Sequence, residues 1–126
     1  MTTETKEPDV KQEVAPVEEA QATPVRELRL RPAADVYQSP EAVRILLDVP
    51  GASERDLDVE VRDGVLSISA RVEWPENQVR VYERSFRVDR RMNTGAVEAR
   101  LARGVLTLNV PFHEEARPRR IDVKTA

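Results

Sequence analysis

The pair Asp63 and Gly64 stands between two runs whose apolar residues recur at every second position, and this constrains the chain more than any other feature. Before it, Leu57, Val59 and Val61 alternate with Asp58 and Glu60; after it, Leu66, Ile68 and Ala70 share a face. A period of two is that of a half-buried strand. An Asp-Gly pair tolerates the positive φ that a two-residue hairpin needs at both central positions. The arrangement recurs at Arg103 and Gly104, between Val97, Ala99 and Leu101 on one side and Leu106, Leu108 and Val110 on the other. Val43, Ile45, Leu47 and Val49 form another one-sided run, closed by Pro50 and Gly51. Residues 79–88 form a further run, with Tyr82, Phe86 and Val88 on one face, and Ser53 with Asp56 has the spacing of a capped turn. Six to eight short strands with regularly spaced turns and no long helical period predict an all-β, immunoglobulin-like antiparallel β-sandwich.

The flanks differ in texture. Residues 1–31 read as a disordered acidic N-terminal arm: Pro8, Pro16 and Pro24 interrupt any helix, and no Phe, Trp or Tyr precedes Tyr37. The sandwich is expected over 32–112. Residues 113–126 form a C-terminal extension, a polar, proline-interrupted linker in which Ile121 and Val123 are an isolated apolar pair. On an extended strand that pair points one way, about 6–7 Å apart.

Several function classes lose their footing. The chain has no cysteine, so thiolate chemistry, disulfides and zinc–thiolate sites are excluded. A net charge of −3 gives no general pull towards nucleic acid or an acidic membrane, and Arg117, Arg119 and Arg120 have no aromatic platform beside them. No apolar run approaches the roughly 20 residues that span a bilayer. Met1 to Pro8 has no apolar leader segment, and the cytoplasm is the expected compartment. His113 is a lone histidine without visible partners, and no catalytic, cofactor-binding or metal-binding constellation is present. No enzyme activity and no cofactor are expected. Trp74, before Pro75, either covers an end of the sandwich or meets a partner.

Three segments, in order, resemble the α-crystallin domain of the small heat-shock protein family. They are Leu47 to Gly51 followed by Asp56 to Val59; Glu83 to Val88, with Arg84 inside it; and Ala99 to Pro111, which contains the Gly104, Val105, Leu106 turn. The pair Ile121 and Val123 is similar to the family's C-terminal anchor.

The resemblance implies an ATP-independent holdase chaperone of the stress response. It would bind partly unfolded proteins and assemble with itself as a dimer or higher homo-oligomer. It implies that Leu57, Val59 and Val61 on one edge strand and Val97, Ala99 and Leu101 on the edge of the opposing sheet line a groove, and that Ile121 and Val123 dock in such a groove. It also implies a dimer interface around Arg84, Phe86 and Val81, with Arg84 paired to a carboxylate; the competing reading is an exposed strand arginine. The loop at 72–78 is short for the strand exchange of bacterial members, so edge-to-edge pairing through 79–88 is the expected alternative. The aromatic-free arm predicts smaller assemblies. The competing functional reading is a co-chaperone or adaptor sandwich that binds one folded partner.

Overall fold

A computed structural model describes residues 24–126. Among the described residues, eight strands form two four-stranded sheets. They are β1 (Arg26–Leu30), β2 (Ala34–Gln38), β3 (Ala42–Asp48), β4 (Leu57–Arg62), β5 (Val65–Trp74), β6 (Gln78–Arg87), β7 (Glu98–Ala102) and β8 (Val105–Pro111). One sheet has the order β1-β6-β5-β4 and the other β2-β3-β8-β7.

The alternation read from the sequence sets the core. Register places Val43 opposite Val110, Ile45 opposite Leu108 and Leu47 opposite Leu106, all facing the second sheet. That sheet contributes Leu66, Ile68, Ala70 and Val72. Leu47, Val49, Leu66, Leu106, Leu108 and Val110 are the largest side chains fully shut off from solvent. Burial of each such side chain contributes about 1.5–3 kcal/mol. The Tyr82 ring is buried beside them, and its hydroxyl donates to the Pro50 carbonyl at 2.9 Å.

Both predicted hairpins are present. Asp63 and Gly64 have φ of 53° and 76°, Arg103 and Gly104 have 50° and 78°, and the flanking residues pair as Arg62 with Val65 and Ala102 with Val105. Gly104 also lies against Pro50, where a Cβ would stand 3.2 Å from the proline Cα. The capped turn forms at Glu54–Asp56, with the Ser53 amide donating to Asp56 Oδ2 at 2.8 Å.

Two expectations are corrected. The loop assigned to 72–78 shrinks to Pro75, Glu76 and Asn77, because β5 runs on to Trp74 and pairs there with Gln78. The alternation continues past Ala70: Val72 is buried while Arg71 and Glu73 face solvent. Trp74 caps that end of the sandwich, its ring against Gly51 and beneath the Arg80 guanidinium at 4.0 Å. The second correction concerns the arm. Its expected span to residue 31 lies outside the described residues as far as residue 23, but Arg26–Leu30 are a strand, paired parallel to β6. Four of the five β1 residues are exposed, so burial left no apolar pattern to read; the strand exists because β6 offers it a ladder. The sandwich is therefore antiparallel except for this one pair.

Candidate functional site

The two strands that end their sheets on one side, β4 and β7, leave an open apolar groove between them. Leu57 and Val59 from β4, Ala99 and Leu101 from β7, and Leu106 from β8 line it, with Glu54, Arg100 and Ala102 at the margins. It encloses about 410 Å³. β4 and β7 face each other here because neither has a further neighbour in its own sheet. Their inward side chains are half-buried or exposed at the rim, unlike the sealed core beside them.

Of the six residues expected in the groove, four line it. Val61 lies in an adjoining hollow with Val88, Met92 and His113, and Val97 is half-buried against the core just before β7 begins. Glu54 and Arg100 were not singled out from the sequence, since only the fold brings a capped turn and an edge strand to one mouth.

Ile121 and Val123 sit in an extension without strand pairing and are 75% and 94% exposed. They do not dock into the chain's own groove. Before them, a short turn at Glu114–Ala116 and a bond from Arg117 Nε to the Phe112 carbonyl (3.2 Å) hold the start of the extension against the domain.

The opposite rim is built differently. Val81, expected at a dimer interface, is buried, with Arg29 of β1 on one side and Arg71 of β5 on the other. β1 occupies the β6 edge from Gln78 to Tyr82, so edge pairing over 79–88 is closed for that half. Arg84 is half-buried. It donates from Nη1 to the Pro32 carbonyl at 2.7 Å, and its guanidinium stands 5.3 Å from the centre of the Phe86 ring. The expected carboxylate is replaced by a backbone carbonyl of the chain's own β1–β2 crossover. Its Nε is buried without a hydrogen-bond partner among the described residues, as is that of Arg80, and both guanidinium groups lie over aromatic rings.

Surface ion pairs tie β1 down. Arg71 reaches Glu27 at 2.8 Å, Arg29 reaches Glu83 at 2.9 Å and Glu27 at 3.3 Å. The hydrogen bond from Arg71, joined by the positive charges of Arg29 and Arg71, holds the Glu27 carboxyl below its ordinary range. A carboxylate lowered by folding stabilises the folded form fully above its unfolded value. That contribution is lost as the pH falls through the lower folded value. Amide protection along β1 should therefore hold at neutral pH and decline below about pH 4, the ordinary carboxylate value. Glu27→Gln should be less protected at neutral pH and insensitive across that window. Amide exchange followed by NMR reads both, and equal curves for the two proteins would refute the coupling.

No group of three or more His, Asp or Glu positioned to hold a metal occurs among the described residues, and no helix there is long and apolar enough to cross a membrane. The model of the Hsp20/alpha crystallin family matches residues 35–124, most of the chain. The chain belongs to this family. The small heat shock protein C2 of Rickettsia felis is 24% identical over 109 residues, which cover 78% of this chain and 71% of that one. The 17.3 kDa class II heat shock protein of Solanum peruvianum is 33% identical over 108 residues, covering 74% and 70%. Among solved structures, heat shock protein 16.0 from Schizosaccharomyces pombe superposes with a TM-score of 0.60 at 24% identity, over 76% of this chain and 77% of that one. The sandwich is thus an α-crystallin domain, and the family is one of stress-response chaperones rather than enzymes.

Proposed function

We propose that this small heat-shock protein is an ATP-independent holdase, which binds partly unfolded polypeptides and keeps them from aggregating. The observation that carries the reading is the pairing of an open apolar groove between β4 and β7 with an undocked apolar pair at Ile121 and Val123. An edge groove accepts an extended apolar segment by strand-like contact with pockets for alternate side chains. The natural occupants are the tail of another copy and, in its place, an exposed segment of a client.

In this reading residues 1–25 act as the arm, 26–112 as the binding domain and 113–126 as the anchoring extension, and the site of action is the cytoplasm. Copies associate through tails in grooves and through a dimer contact along the β6 edge around Val81, Arg84 and Phe86. Nucleic acid and membranes are not partners. The work done is mass action: binding lowers the free concentration of aggregation-prone species, and no nucleotide is consumed.

The test is light scattering from an unrelated heated protein. Suppression at about one chain per client chain without ATP is the expected result, with Leu101→Glu losing most of it. No suppression, together with tight binding to a single folded protein, would replace the holdase by an adaptor.

A further inference from the structure

β1 is an edge strand with four of its five residues exposed. It touches one neighbour only, and Leu28, on the face shared with Leu30, is 46% exposed. Its ladder, from Arg26 opposite Gln78 to Leu30 opposite Tyr82, consumes the β6 edge groups that an incoming strand would need. β5, on the other side of β6, pairs with it over ten residues, from Val65 opposite Arg87 to Trp74 opposite Gln78. What holds β1 is mostly at the surface: the Glu27–Arg71 and Arg29–Glu83 pairs and a bond from Asn77 Nδ2 to the Pro24 carbonyl at 2.9 Å. Two half-buried fastenings add to these: Leu30 packs against the core, and Arg84 Nη1 donates to the Pro32 carbonyl, where the chain crosses from β1 to β2.

Resting on the β6-edge dimer proposed above, the geometry points to β1 as a strap that must leave β6 before two copies can pair along the whole of this edge. The occupant that replaces it is β6 of a second copy, laid antiparallel. Directly opposed residues in such a pair must lie on the same face. A pairing centred on Tyr82 sets Arg80 against Arg84, and one centred on Glu83 sets that carboxylate against itself. A pairing centred on Ser85 sets Glu83 against Arg87 but joins only residues 83–87; centred on Val81, the pairing sets Arg80 opposite Tyr82 and Val79 opposite Glu83, no like charges meet, and the ladder is longer, from Gln78 to Arg84. That register uses the stretch of β6 which β1 now covers. The two arrangements exclude one another, so the apparent dimer affinity scales with the population of released β1. Arg84 then acts as a positioning residue: its grip on Pro32 sets how often the strap is open.

The absence of cysteine makes the test clean. The full chain is studied with Ile121→Ser and Val123→Ser throughout, so that tails contribute nothing. Leu28→Pro breaks the β1 ladder without touching β6. Leu28→Cys with Arg80→Cys, at directly paired positions, staples the strap when oxidised and serves as its own control when reduced. Native mass measured over a concentration series, with amide exchange at residues 78–82, reads the outcome. Leu28→Pro is expected to lower the concentration of half-dimerisation by about tenfold or more and to speed exchange of the edge amides. The oxidised pair is expected to stay monomeric, and reduction to restore dimerisation. Equal dimerisation in the stapled, reduced and proline forms overturns the strap and leaves the dimer standing. No dimer in any form overturns the edge pairing and the strap with it.

Discussion

Serine at both Ile121 and Val123 should dissolve the assemblies that tails hold together, leaving the smallest unit in solution. Each side chain gains about 1.5–3 kcal/mol on burial. Ordering the extension that carries it costs roughly 1–2 kcal/mol per residue fixed, so one docked tail binds weakly. Several tails acting from one assembly bind far more firmly, since linked sites can raise overall avidity about 10²–10⁴ above that of a single tail. Removing both apolar side chains should therefore cost all of that association, not a fraction of it. Leu101→Glu, which puts a charge on the floor of the groove, should reduce native mass to the same extent. The two changes together should do no more than either alone, because they remove one contact from its two sides. They should part company on clients: the serine tail keeps aggregation suppression, whereas the glutamate groove loses it. A native mass unchanged by the serine pair would end the anchor reading.

Leu108→Ala should destabilise the domain by about 2–5 kcal/mol, the range for deleting a buried leucine side chain in a core that cannot collapse around the gap. Leu108 has no solvent exposure and is clasped in register between Ile45 of β3 and Ala99 of β7, so both neighbouring strands resist closing the void. Against a typical total of about 5–15 kcal/mol, this is a large share. In a domain of this size the melting midpoint should fall by about 10 °C or more. Val59→Ala, at the half-buried rim of the groove, should shift the midpoint much less while still weakening client binding. Calorimetry on both variants checks the contrast, and a small shift for Leu108→Ala would show that the core relaxes.

Much of this design is readable before any coordinates. The hairpins at Asp63–Gly64 and Arg103–Gly104 announce themselves because few residue pairs accept positive φ twice in succession. The inward faces of β3, β5 and β8 follow from alternation, which only a pleated strand buried on one side would retain. The alternation does not end at Ala70: Val72 and Trp74 carry it four residues further, and that turns the expected loop into a tight hairpin. β1 had no such signal. It holds only two apolar residues, Leu28 and Leu30, among charged ones, a run too short to distinguish it from the arm that precedes it.

The groove was legible as a set of apolar positions but not as a shape. Leu57, Val59, Ala99 and Leu101 meet because β4 and β7 end opposing sheets; Val61 lines a different hollow, and Val97 packs against the core just before β7 begins. Arg84 shows the same limit: its residue type foretold a partner, and the partner is the Pro32 carbonyl on a crossover 52 residues away in the chain.

By itself, the sequence determined six of the strands, their inward faces, two of the positive-φ turns and the apolar pair in the tail, since each depends on residues a few positions apart. The tertiary structure alone decided which edges stay open, where β1 lies and what Arg84 holds. Those outcomes depend on which backbone groups lack a neighbour once two sheets have closed on each other, and no local pattern encodes that.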